Sequence, residues 1–71
     1  FQVNNDDSAL QNISYFSNVL EQVSFKKAVL SGVNFHTAIL EQCDFSNSDI
    51  CGTNFFKSKL VNCDFSNAVF E

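Results

Sequence analysis

The chain has 71 residues and a formal net charge of −4, with three cysteines, nine phenylalanines and no proline. A chain of this length forms one domain, and a compact core of this size would be marginally stable. The sequence has no apolar run long enough for a transmembrane helix or a secretory signal, and no basic tract of the kind that binds nucleic acid. We therefore expect one domain with neither a membrane nor a nucleic-acid partner.

The chain divides into a short lead-in and a repetitive remainder. Residues 1–7, FQVNNDD, show no regular pattern, and we interpret them as an irregular lead-in. In residues 8–71 a large apolar residue recurs every five positions, and the first break toward the N-terminus is Asn5. The thirteen recurring residues are Leu10, Tyr15, Leu20, Phe25, Leu30, Phe35, Leu40, Phe45, Ile50, Phe55, Leu60, Phe65 and Phe70.

An interval of five fits neither regular helices nor flat strands. On an α-helix these residues would wind around the whole cylinder, and on a strand they would alternate between the two faces. The residues two positions earlier are mostly small, as in Ala28, Ala38 and Ala68. Two residues separated by one position lie on the same face of an extended segment. Each unit of five is therefore interpreted as a short extended piece followed by a corner.

A second period of twenty residues gives the number of corners in a coil. LEQ occurs at 20–22 and 40–42, and CDFSN occurs at 43–47 and 63–67. Twenty residues are four units, so the pattern predicts a coil with four sides, and residues 8–71 form about three and a half coils. Two opposite sides should stack Phe on Phe, and the other two should stack Leu or Ile.

Several units follow the order small residue, Asp or Asn, Leu or Phe, and two variable residues. The best matches are residues 38–42, 43–47, 48–52, 53–57 and 63–67. In this respect residues 8–71 resemble the pentapeptide-repeat protein family. The resemblance implies an all-β fold, a right-handed quadrilateral β-helix. It implies function only loosely, because the family includes quinolone-resistance proteins, cyanobacterial proteins and bacterial effectors.

The cysteines and the single histidine do not form a recognisable catalytic or metal site. Cys43 and Cys63 lie one coil apart in the same inward column, and we interpret them as buried thiols that pack as small hydrophobes, with a disulfide as the alternative. Cys51 should point outward. Because His36 stands at an outward corner and no zinc spacing or phosphate-binding loop occurs, we expect no enzyme activity and no cofactor.

Two surface columns are candidates for binding. Phe16, His36 and Phe56 fall in register at one corner, and Val19 and Ile39 fall on the next side, so together they predict an exposed apolar patch that contacts a partner. The alternative is that these stacked side chains only shield one another.

The second column is acidic. Glu21 stacks with Glu41, and Asp44 stacks with Asp64. The CDFSN units resemble the quinolone-resistance branch, in which an acidic rod occupies the DNA-binding saddle of gyrase. The alternative is that these carboxylates accept hydrogen bonds from nearby backbone N–H groups.

These observations favour a non-catalytic protein–protein interaction or scaffold module within a longer bacterial protein, such as an effector. The alternative function is a DNA-mimicking gyrase binder. An uncapped last coil also predicts a homodimer through its open C-terminal end. Unpaired thiols favour a reducing compartment, so we expect the protein in the cytoplasm, or in a host cytosol if it is an effector domain.

Overall fold

The structure, a computed structural model, describes residues 3–70 and contains no helix within them. Its short strands are β1 (Val3–Asn4), β2 (Val19–Glu21), β3 (Val23–Ser24), β4 (Ile39–Glu41) and β5 (Lys59–Val61). Strands β1 and β3 form one parallel pair, and β2, β4 and β5 form a three-stranded parallel sheet. The all-β prediction is therefore confirmed.

Every parallel pairing joins residues twenty positions apart, which gives the molecule four sides. The first side carries the ladder Ser24–Asp44–Asp64, and the second carries Ala9–Val29–Asp49–Val69. The third carries Ser14–Asn34–Asn54, and the fourth is the sheet β2–β4–β5. The predicted four-sided β-helix is confirmed, while the number of coils stays a prediction.

The corners are tight turns with one residue in the left-handed region. A positive φ recurs at every fifth residue from Asp7 to Asn67, and only Gly32 and Gly52 among these positions are glycine. At most corners an N–H donates across the turn, as from Ala28 to the carbonyl of Phe25 at 3.1 Å. A positive φ at the third turn residue is what a type II turn requires. The chain therefore changes direction in two residues and returns to the same register.

The interior consists of stacked rings and aliphatic side chains. Tyr15, Phe35 and Phe55 form one aromatic column with ring centroids 5.2 Å apart. The opposite column has centroids 4.9–5.0 Å apart and consists of Phe25, Phe45 and Phe65. Rings of the two columns meet edge-on at 5.9–6.1 Å, which is a favourable aromatic geometry. The predicted stacking of Phe on two opposite sides is therefore confirmed.

The small inward residues complete the core, and two of them are thiols. Cys43 is buried and Cys63 is half-buried, and neither forms a disulfide. The Cys43 thiol donates to the carbonyl of Leu20 at 3.5 Å, and the Cys63 thiol donates to the carbonyl of Leu40 at 3.4 Å. Burial raises the pKa of the Cys43 thiol, which keeps it protonated. Both residues are thiols in the inward column, as interpreted, but only Cys43 is fully buried.

The described part of the lead-in follows the same geometry as the repeats. Strand β1 pairs with β3 in the twenty-residue register, the Asn5 N–H donates to the Ser24 carbonyl at 2.7 Å, and Asp7 has a φ of 61°. A backbone ladder forms without an apolar residue in the column, so Asn5 does not interrupt it. The predicted boundary between the lead-in (1–7) and the repeats (8–71) stays a prediction. Residues 1, 2 and 71 of these two segments lie outside the described residues.

Candidate protein-binding surface

Three rings stack on the outside of the molecule, at the corner after the third side. The Phe16 and His36 rings have centroids 5.4 Å apart, and the His36 and Phe56 rings have centroids 5.5 Å apart. Phe16 is 55% exposed and Phe56 is 61% exposed, whereas His36 between them is half-buried. We call these residues the aromatic ladder. The twenty-residue register brings them together as predicted.

Hydrogen bonds inside each turn fix the direction of the ladder. The side-chain oxygens of Asn34 and Asn54 accept the N–H groups of His36 and Phe56 at 2.8 and 2.9 Å. These are Asx-turn bonds, in which a side chain bonds the backbone two residues later. Next to the ladder, the hydroxyls of Ser17 and Thr37 share a hydrogen bond of 2.6 Å. These bonds hold the backbone of the corner from which the rings project.

The histidine in the ladder is enclosed more than an outward corner position suggests. Its Nδ1 is buried and has no hydrogen-bond partner in the described structure. The Phe16 ring stacks on the imidazole with the two planes 13° apart, and the Phe56 ring on the other side is tilted by 33°. The imidazole is therefore flanked by two more exposed rings.

A second apolar column lies beside the ladder on the fourth side. Val19 pairs in register with Ile39, and Ile39 pairs with Lys59. Val19 is 59% exposed, and Ile39 is half-buried. We call the aromatic ladder and the pair Val19–Ile39 together the apolar face. The structure thus places the five predicted partner-binding residues in two columns, and their binding of a partner stays a prediction.

The predicted acidic stripe is short, and local contacts occupy its aspartates. Glu21 pairs with Glu41, and Asp44 pairs with Asp64 across one coil. The Asp44 carboxylate accepts the Ser46 N–H at 2.9 Å and lies 3.7 Å from the Lys26 ammonium. The column of Glu21 and Glu41 ends on Val61. Each column therefore contributes only two adjacent carboxylates.

The aspartates serve mainly as acceptors within their own turns. The Asp64 carboxylate accepts hydrogen bonds from the hydroxyl and the N–H of Ser66, which hold its pKa below the usual value. The Cys51 N–H lowers the pKa of Asp49 in the same way. Of the predicted stripe, Asp44 and Asp64 accept nearby backbone N–H groups, as the alternative interpretation expected. Asp49, outside the stripe, does the same.

Some polar contacts on the surface were not predicted from the sequence. The Gln22 side-chain amide donates to Gln42 at 3.1 Å, beside the glutamates, and the Ser17–Thr37 bond lies beside the aromatic ladder. The two residues of each pair are twenty positions apart, so the register predicts that they are neighbours in adjacent coils. Sequence alone gives the adjacency but not the side-chain conformations that make the bonds.

The surface of the described residues also has several open depressions. One of about 440 Å³ lies along the fourth side and is lined by Glu21, Gln22, Glu41, Gln42, Val61 and Asn62. An apolar one of about 460 Å³ lies at the C-terminal end, where Ile50, Leu60 and Phe70 are part of its lining. In residues 3–70 no group of three or more His, Cys, Asp or Glu residues could hold a metal ion. The same residues include no helix of the length and apolarity that a membrane crossing requires.

Comparison with known proteins agrees with this architecture. The family model "Pentapeptide repeats (8 copies)" matches residues 19–55, just over half of the chain. No curated protein sequence matches the chain significantly.

The solved structures that resemble the chain include two pentapeptide repeat proteins. A pentapeptide repeat protein from the thylakoid lumen of Arabidopsis thaliana is 28% identical with a TM-score of 0.55, and the match covers 99% of this chain and 55% of that one. The pentapeptide repeat protein Rfr23 from the cyanobacterium Cyanothece 51142 is 17% identical with a TM-score of 0.46, and the match covers 96% of this chain and 64% of that one. The chain therefore spans between half and two thirds of the length of these proteins. From the matched repeats, the twenty-residue register and the stacked interior, we conclude that the chain belongs to the pentapeptide-repeat family.

Proposed function

We propose that this chain is a non-catalytic protein–protein interaction or scaffold module, and that the apolar face contacts the partner. The observation that supports it best is the exposure of Phe16 and Phe56, at 55% and 61%. The first residue of a corner can be polar in this fold, since Lys26, Ser46 and Ser66 occupy it elsewhere. Aromatic residues there meet no requirement of the fold, and exposed aromatic residues are typical anchors of interfaces.

The contribution of the ladder to folding is small compared with its size. Stacking of the Phe56 ring on His36 is worth roughly 0.5–1.5 kcal/mol, whereas a buried aromatic anchor in an interface is worth at least about 2 kcal/mol. The Val19–Ile39 column widens the apolar area without adding to the core. Binding therefore gives these residues a larger energetic role than stacking does.

The setting of the module is part of the same proposal. The module belongs to a longer bacterial protein, such as an effector, and acts in the cytoplasm or in a host cytosol. The acidic stripe of Glu21, Glu41, Asp44 and Asp64 would be the contact surface of a gyrase binder. Its aspartates are occupied by turn hydrogen bonds and by Lys26, and no observation favours this alternative over the apolar face.

The decisive experiment compares Phe56→Ala with Val69→Ala. Val69 is 57% exposed but lies on the second side, away from the ladder, so it is a matched control. We expect Phe56→Ala to weaken self-association in sedimentation, or partner capture in a pull-down, by about 30-fold. Its free energy of unfolding should fall by no more than about 1.5 kcal/mol, and Val69→Ala should change neither quantity. If Phe56→Ala destabilises the fold and leaves every association intact, the rings are structural and the proposal is wrong.

A further inference from the structure

The charges of the molecule are separated between its sides. The described carboxylates lie on the first and second sides, at the corner between them, and at the far end of the fourth side: Asp6, Asp7, Glu21, Glu41, Asp44, Asp49 and Asp64. The segments 12–20, 32–40 and 52–60, which form the third side, the aromatic ladder and the apolar columns, contain none. The apolar face therefore contains no carboxylate of its own, although Glu21 and Glu41 lie beside its Val19–Ile39 column, two residues along the same strands.

Positive charge is concentrated at one end of this face. The aromatic ladder ends on Phe56, and the Lys57 ammonium lies 5.5 Å from the centre of its ring. The second apolar column, Val19–Ile39, continues in register to Lys59. Both columns thus end in an ammonium group in the same coil. Lys26 and Lys27, in contrast, follow the first side, where the Lys26 ammonium pairs with Asp44.

We propose that the apolar face binds an acidic amphipathic helix of a partner protein, with the acidic end of the helix over Lys57 and Lys59. This inference rests on the proposed function and specifies the chemistry of its partner. Complementary charge at the rim of an interface selects the partner and fixes its orientation. The carboxylates on the first and second sides disfavour the same acidic segment there. Glu21 and Glu41 border the first two coils of the fourth side, whereas Lys59 lies in the third, so the charges direct the acidic end of the helix to the coil of Lys57 and Lys59.

The dimensions of the face fit a short helix. Three stacked positions at the usual spacing of about 4.8 Å span about 10 Å, which is close to two turns of an α-helix at 5.4 Å each. Apolar side chains at positions i, i+3, i+4 and i+7 of such a helix would cover the two columns. Glutamates in the turn next to this apolar seam would then reach the two ammonium groups.

The test uses two synthetic helical peptides of 14 residues with the same leucine seam. One ends in three glutamates and the other in three lysines, and fluorescence anisotropy measures their binding to the whole chain at low and high salt. We expect the glutamate peptide to bind at least about 10-fold more tightly, with the preference decreasing as salt screens the charges. Equal affinity of the two peptides, or no binding of the glutamate peptide, would overturn the inference.

Charge-reversal variants locate the effect on the surface. Lys57→Glu combined with Lys59→Glu should reverse the preference between the peptides. Lys26→Glu combined with Lys27→Glu changes the net charge equally on another corner and should leave the preference unchanged. A similar loss in both double variants would mean that net charge alone selects the peptide, which contradicts a specific site.

The two proposals can fail separately. If the chain alone forms dimers that Phe56→Ala dissociates, the occupant of the apolar face is a second copy, and the acidic-helix inference is wrong while the interaction function stands. If neither peptide binds and Phe56→Ala alters no association, both proposals fail.

Discussion

Phe45 has two stacked and two edge-on ring contacts, as Phe35 has, and gives a direct test of the stacked core. It is fully buried, and its ring stacks on Phe25 at 5.0 Å and on Phe65 at 4.9 Å. It also meets Phe35 and Phe55 edge-on at 5.9 and 6.1 Å. Phe65 is only half-buried, with one stacked contact and one edge-on contact. Phe45 therefore has four ring contacts and Phe65 has two, so the two residues allow the same substitution to be compared at a complete and at a half-complete packing site.

The contacts set the expected magnitudes. Phe→Ala at a fully buried site costs about 3–5 kcal/mol, and a 71-residue domain has a total stability of roughly 4–11 kcal/mol. Phe45→Ala should therefore remove a large part of the stability, from about a quarter to all of it. Phe65→Ala should cost about half as much, roughly 1.5–2.5 kcal/mol. Phe45→Leu keeps most of the volume and loses the ring contacts, so it should cost about 1–2 kcal/mol.

Urea unfolding followed by far-ultraviolet circular dichroism measures these differences. If Phe45→Ala is too unstable to give a complete urea unfolding curve, Phe45→Leu should still give one. The reasoning would be refuted if Phe65→Ala were as costly as Phe45→Ala. If Phe45→Leu lowers the free energy of unfolding by less than about 0.5 kcal/mol, the ring contributes through its volume and not through its contacts with other rings.

Two further predictions concern the corners. Gly32→Ala and Gly52→Ala should each destabilise the fold by about 1 kcal/mol in urea titrations, because both residues have a positive φ. The new Cβ at Gly32 would overlap only with Asn12 Oδ1, the end of an exposed side chain that can turn away, so the two costs should be similar. A cost near zero at both positions would contradict this. Asp64→Asn should flatten the decrease of melting temperature on acidification below about pH 4, because Ser66 lowers the pKa of Asp64 from its usual 3.8. The stability linked to this depressed pKa is present above pH 3.8 and is lost as pH falls through the folded-state value. An unchanged acid limb of the profile would refute the role of these bonds.

The sequence predicts the interior well because the register is constant. Each pairing joins residues twenty positions apart, so the position of a residue in the coil follows from its number alone. The two aromatic columns, the inward thiols and the alignment of Phe16, His36 and Phe56 could all be predicted in this way. In a compact fold with varied loops, no such simple rule connects sequence and environment.

Other features depend on information that the period does not contain. The half-burial of His36 follows from the orientation of the rings above and below it. The regular geometry of residues 3–7 follows from backbone hydrogen bonds. The spacing of apolar residues does not predict it, because the side chain of Asn5 is polar. The identity of the partner is a property of a second molecule, which this sequence does not encode. The separation of charge on this chain indicates only the chemical class of that partner.

The constant register also determines how this molecule can change in length. Removing five residues between Leu20 and Leu40 would turn every later residue by one side, which would place phenylalanines in the aliphatic columns and move His36 away from Phe16. Removing or adding twenty residues leaves every column in place. The repetition of LEQ at 20–22 and 40–42 has this interval of twenty. The height of the molecule is thus free to vary only in whole coils, and each added coil lengthens the interior and the outer face together.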